Sequence, residues 1–201
     1  MPSRSRVLSG HHDQVLHLHA SEGRLASCSA DGAVLLWSLS RGHVERRWRL
    51  GAYCVRLAGR ALIAGGEGVE PVRAHDVASG EVVASYEDAE PPLGVTSSLE
   101  HRGTTLAAGN SFSRSQLRVW DLTTGTLTDR FSFPGFTRGV RCMQLQPNAI
   151  IAGCANGWVI FCDLRSGRFE KRLAHSECVN SVRLNGEKCA ARGHRTAKTL
   201  P

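Results

Sequence analysis

With 201 residues, 41% of them hydrophobic, and 21 glycines, the chain can bury a substantial core and make many turns. No apolar run approaches the roughly 18 residues of a membrane-spanning helix, and the opening MPSRSRVLSG lacks the apolar centre of a signal peptide, so a helical span is excluded and secretion is not indicated. The formal net charge of +7 leaves a polyanion-binding role to be weighed against a merely solvated surface.

In chain order, the first elements are QVLHLHA (14–20), the small-residue run RLASCS (24–29), the apolar run VLLWSL (34–39) and the alternating stretch HVERRWRL (43–50). The same outline returns as YCVRLAG, LIAGG, VRAHDV and EVVASYE between 53 and 87. It returns again as GVTSSLE, TLAAGN, LRVWDL and TLTDRFSF between 94 and 133, and as GVRCMQL, AIIAGC, VIFCDL and RFEKRLA between 139 and 174. Period-two alternation predicts half-exposed strands, and short fully apolar runs predict strands covered on both faces. Between each apolar run and the alternating stretch stands SLSRG, DVASG, DLTTG or DLRSG, a hairpin turn with glycine at the position that tolerates positive φ.

The anchor positions Trp37, His75, Trp120 and Cys162 are 38, 45 and 42 residues apart, the period of a propeller array. Four short strands per period make one blade. The expectation is therefore an all-β fold: a β-propeller of four-stranded antiparallel blades, with four recognisable repeats and a partial fifth. Its boundaries are 1–9 as the end of an outer strand, then blades at 10–50, 51–90, 91–133 and 134–173, a partial fifth blade at 174–192, and an irregular basic tail at 193–201. KCAAR (188–192) supplies the fifth small-residue strand, whereas GHRTAKTLP has one Leu and no apolar alternation. The expected ring is incomplete, as in a truncated product, an isoform or a fragmentary gene model, with a self-closed ring of four or five blades as the alternative.

GHHDQV followed by LASCSADGAVLLW, together with VWDL at 119–122, resembles the tryptophan-aspartate (WD) repeat family over residues 5–191. The resemblance implies a buried hydrogen-bond chain of His11, Ser27, Asp31 and Trp37 that stiffens the first blade. Later repeats carry Ala64, Ala108 and Ala152 where the first has Ser27, and no histidine where His11 stands, so apolar packing is expected to hold them. The resemblance also implies a partner-binding face built from two sets of loops. Asp13, Tyr53, Phe136 and Arg138 fall in the first set; Phe112, Arg114 and Trp158 fall in the second. Trp158 has two readings, an exposed anchor or a ring packed across its blade.

Seven cysteines, with no Cys-x-x-Cys pair, read as reduced thiols of an intracellular protein, cytoplasmic or nuclear. No cofactor is implied. His11, His12, His17 and His19 lie close in sequence, but no carboxylate or thiol at ligand spacing joins them, so zinc is not supported. Enzyme signatures are missing too: there is no nucleophile elbow, phosphate loop or His-Glu-x-x-His, and Asp31, Asp76, Asp121 and Asp163 read as framework residues. The function expected is a non-catalytic scaffold that binds partner proteins or peptides. One alternative is the substrate-recognition module of an F-box-type ubiquitin ligase adaptor. The other is a basic propeller binding RNA or phospholipid through Arg41, Arg46, Arg47 and Arg49, through Arg165, Arg168, Lys171 and Arg172, or through Arg192, Arg195 and Lys198 of the tail, although Glu45 and Glu170 interrupt the first two stripes.

Overall fold

Alternating and apolar runs joined by tight glycine turns can satisfy their backbone only by pairing with the next run, and this chain does so sheet by sheet. The computed structural model describes residues 6–66, 72–89, 95–111, 116–133, 138–185, 188–193 and 196–200. The first sheet is β1 (Val15–Ser21), β2 (Arg24–Ser29), β3 (Ala33–Ser38) and β4 (Val44–Arg49). The second is β5 (Ala52–Ala58), β6 (Ala61–Gly66), β7 (Val72–Asp76) and β8 (Val82–Tyr86). The third is β9 (Val95–Arg102), β10 (Thr105–Ser111), β11 (Gln116–Asp121) and β12 (Leu127–Ser132). The fourth is β13 (Val140–Gln146), β14 (Ala149–Cys154), β15 (Trp158–Asp163) and β16 (Arg168–Leu173), and the fifth has three strands, β17 (Ser181–Asn185), β18 (Lys188–Arg192) and β19 (Ala197–Leu200). Every sheet is an antiparallel meander in chain order, and no helix occurs among the described residues. This is a β-propeller-like fold.

The hairpin after each third strand is built alike. The N–H of Gly42, Gly80, Gly125 and Gly167 donates to the carbonyl four residues earlier at 2.7, 2.7, 2.8 and 3.0 Å, with φ between 66° and 84°. In three of these turns an aspartate (Asp76, Asp121 or Asp163) accepts N–H groups from the turn, and in the first the Ser38 hydroxyl does the same for Arg41 at 3.3 Å. Those N–H bonds hold the three carboxyls below the usual carboxylate range, which assigns them to turn formation.

First strands of consecutive sheets lie side by side, β1 by β5, β5 by β9, β9 by β13 and β13 by β17. Hydrophobic clusters then fill the spaces between sheets: Val34 and Leu36 meet Val55 and Leu62, Ile63 and Tyr86 meet Leu99 and Trp120, and Ile151 and Val159 meet Val179 and Val182. The small residues of the second strands are explained by this approach. A Cβ on Gly65, Gly109 or Gly153 would stand 2.6, 2.7 and 2.6 Å from Thr96, Val140 and Val179 of the neighbouring sheet or its lead-in. Side chains add ties across the same junctions. His19 Nδ1 accepts the Leu57 N–H at 2.9 Å, Gln144 accepts the Leu184 N–H at 2.6 Å, and Arg56 pairs with Glu100 at 2.6 Å.

Two segments differ from the sequence expectation. Residues 197–200, within the stretch read as an irregular tail, form β19, because the free edge of β18 offers backbone partners whatever the side chains; Arg192 pairs with Ala197 and Cys189 with Leu200. Residues 6–9, the described part of the stretch read as an outer strand's end, are in no strand. They cover the far face of the first sheet instead. Leu8 packs on Ala33, Leu35 and Trp37, while arginine side chains, Arg6 to Ser40 O and Arg47 to Gly10 O at 2.9 Å, supply bonds that no neighbouring strand provides.

Candidate functional site

The structure brings His11, Ser27, Asp31 and Trp37 together. His11 Nε2 lies 2.7 Å from Ser27 Oγ, the Trp37 indole N–H donates to the same hydroxyl at 2.8 Å, and His11 Nδ1 lies 3.3 Å from Asp31. Asp31 also accepts the N–H groups of His12 and Ala33, which, with His11 and Ser29, hold its carboxyl well below the ordinary range. Every polar atom of Ser27 and Trp37 is engaged internally, which marks a structural group. Ser27→Ala leaves the indole N–H buried and unpaired, so the expected loss is about 1–3 kcal/mol of stability. Trp37→Phe added to Ser27→Ala should cost less than the sum of the two single changes in a denaturant-midpoint cycle.

Other indoles are anchored differently. The Trp120 indole N–H donates to Glu87 O at 3.1 Å and that of Trp48, on β4 of the first sheet, to Gly80 O at 3.1 Å, both backbone carbonyls of the second repeat. His75 packs at 6.4 Å from the Trp48 ring. Ahead of the fifth sheet, His175 reaches Ala191 O at 3.0 Å and Thr196 at 3.2 Å.

The candidate site is the mouth of the channel between the first strands. Four of these strands carry a β-bulge near their start, where one residue loses its ladder partner: Leu16, Tyr53, Ser97 and Arg141. Bulges re-aim side chains, and all four of these line one cavity of about 390 Å³. Loops converge on the same end, since Gly32 O accepts the N–H of Leu50 and Gly51, and Gly157 O accepts those of Ala174 and His175.

Of the residues expected on a partner-binding face, Tyr53 is 38% exposed at its bulge and stands at this mouth. Asp13, just ahead of β1, is exposed and accepts the Gln14 N–H at 2.7 Å. Arg138 is exposed ahead of β13. Trp158 combines its two readings: it is half-buried against the cluster between the third and fourth sheets, and the Lys171 ammonium lies 5.3 Å from its ring centre. Phe112, Arg114 and Phe136 lie outside the described residues.

Sequence reasoning missed the channel's charged interior. Behind the mouth, Arg56 joins Glu100 and His17 (3.0 Å), and His19 meets His101 with ring centres 5.9 Å apart. Burial first, then the Arg56 charge, lowers His17 and His19 to about 4, and lowers His101 likewise. A histidine kept neutral in the fold gains a proton first in the unfolded chain, near pH 6.5. Stability from this group is therefore complete above about pH 6.5 and is lost as pH falls toward about 4. Melting temperature should drop across that window, and the drop should flatten in a His17→Gln, His19→Asn double variant.

The model of the WD domain, G-beta repeat family matches residues 2–38. A comparison with curated proteins found no match. Among solved structures, the computationally designed Ika8 protein superposes with a TM-score of 0.65 at 16% identity, over 94% of this chain and 71% of that one. The computationally designed Ika4 protein does so with a TM-score of 0.62 at 18% identity, over 87% of this chain and 100% of that one. Both likenesses concern the fold alone. With the repeat matched at residues 2–38 and four sheets laid out on one plan, the chain is consistent with a WD-repeat family, whose members typically act as non-catalytic scaffolds that bind proteins.

Proposed function

We propose that the chain is a non-catalytic protein-interaction scaffold that docks a partner protein or peptide on the loop face around the channel mouth. The observation that carries this is the bulge repeated in four first strands, which turns Leu16, Tyr53, Ser97 and Arg141, four different chemistries, to one opening. Repetition gives the geometry and variation at the repeated position gives selectivity. Asp13, Arg138 and Trp158, with Phe112, Arg114 and Phe136, extend the proposed surface. An intracellular setting, cytoplasmic or nuclear, fits seven unpaired thiols, four of which burial raises to about 12. The narrower role as a recognition module of a ligase adaptor rests on resemblance alone.

Affinity capture with the tagged chain tests this. The expected result is a stoichiometric protein whose recovery falls at least severalfold with Tyr53→Ala and with Trp158→Ala and changes little between about 50 and 200 mM salt. Capture that ignores both substitutions removes the loop-face assignment. Binding that collapses with salt and brings down RNA or anionic vesicles favours the polyanion reading, in which the arginines of β4 and β16 meet phosphates. Against that reading, Arg46 already reaches Val77 O at 3.1 Å, and Lys171 and Arg172 lie over Trp158 and Phe161.

A further inference from the structure

At the mouth and just behind it, the first strands line two adjoining open cavities of about 390 and 430 Å³ that share His17, Arg56, Glu100 and Arg183. These sizes fall in the range of small-molecule sites, about 300–1,000 Å³. Arg141 lines the first cavity and Arg102 the second. Glu100 is the one acidic side chain in either lining among the described residues, and it is already engaged at 2.6 Å by Arg56. The first cavity therefore holds three guanidinium groups against one carboxylate, which leaves two positive charges unmatched. Arg141 and Arg183 are exposed, and among the described residues neither has an ion pair; Arg183 donates only to the Val182 carbonyl at 3.1 Å.

Hydrogen-bond accounting points the same way. Arg56 is 8% exposed, and its Nη atoms serve Glu100, His17 and the Val55 carbonyl, but its buried Nε–H has no acceptor. Because a guanidinium can only donate, His17 Nε2 accepts, and the proton of the neutral ring stands on Nδ1. That atom is also buried without a partner. The wall thus has an excess of donors as well as of positive charge. The depressed pKa values of His17, His19 and His101 register the same field, since Arg56 is a cause in all three.

We infer that this channel is a binding site for a phosphate group carried by a small molecule, contacted by Arg141 and Arg183 with Arg56 fixed behind them. A phosphate monoester carries about −1.5 to −2 charge and offers acceptors only, which matches both excesses, and guanidinium forks suit its oxygens. A single carboxylate would leave one positive charge unmatched. The site shares its opening, and Arg141, with the docking face proposed above, but binding there needs no partner protein.

Calorimetric titration of the 201-residue chain with inorganic pyrophosphate, at fixed ionic strength in chloride, provides the test. One-to-one binding is expected, weakened about tenfold or more by Arg141→Gln and by Arg183→Gln, the loss of one charge-assisted contact each. Both side chains are exposed, so both variants should melt like the parent, and Arg165→Gln on the outer turn should bind like it. No binding of pyrophosphate overturns the proposal. So does equal binding by the parent and both channel variants, or an equal loss in Arg165→Gln, which would mean diffuse surface attraction. Capture of a phosphoserine peptide without pyrophosphate binding also overturns it and assigns the cations to a protein partner. No partner protein is needed for this readout, so its failure leaves the scaffold reading to be judged by capture alone.

Discussion

Trp120→Ala is expected to remove about 3–5 kcal/mol of stability, the cost of emptying a large aromatic site in a packed core. Trp120 is 2% exposed and joins two sheets. Its ring packs at 6.3 Å from Tyr86 of the second sheet, and its indole N–H donates to Glu87 O, just beyond that strand. At roughly 2–4 °C per kcal/mol for a domain of this size, melting should fall by about 10 °C. Trp120→Phe keeps most of the apolar contact and loses the indole bond, so it should cost about 1–3 kcal/mol. If the two variants were equally destabilised in a denaturant titration, the hydrogen bond rather than the packing would hold this junction.

Gly157→Ala should be as damaging, for a different reason. Gly157 has φ +87°, and a Cβ there would sit 1.9 Å from the His175 carbonyl oxygen and 3.0 Å from that of Glu177. Both are backbone atoms of the segment leading to the fifth sheet, so no side chain can swing aside. Left-handed strain of about 1–2 kcal/mol adds to an overpacking cost of about 1–3 kcal/mol, giving an expected loss of about 3 kcal/mol or more. Gly59→Ala is the control. It has φ +56° with nothing within 4 Å of the added carbon, so only the strain of about 1–2 kcal/mol should appear. Amide exchange should accelerate first in β17 to β19 in the Gly157 variant, because the displaced segment carries the junction bonds of Ala174 and His175 to Gly157 O. Equal effects of the two substitutions would rule out the close approach.

The four-strand meander was legible because its signals are local: alternation within a strand, and a glycine and an aspartate or serine within one turn. The quartet His11, Ser27, Asp31 and Trp37 was legible only through a family resemblance, since 20 residues separate His11 from Asp31 and nothing in their spacing alone brings them together. The tail was misjudged because side-chain pattern says little about an edge strand whose partner is backbone. Of the channel only Tyr53 was legible, through the resemblance, and its charged interior was missed. Its column Leu16, Tyr53, Ser97 and Arg141 shares no chemistry, and the only signal was positional, one diverse residue at the same offset in each repeat's first strand.

The sequence by itself determined the strands, their turns and the repeat, since each depends on neighbours a few residues away. Only the tertiary structure decided where the cations go. Arg56 finds Glu100, and Arg141 and Arg183 line the same cavity, because consecutive sheets set their first strands side by side, held at that distance by glycines with no room for a Cβ; His19 of the first sheet meets His101 of the third past the strand between them. Packing between sheets, which acts across about forty residues of chain, gathered cations scattered through the sequence into one open, arginine-lined cavity.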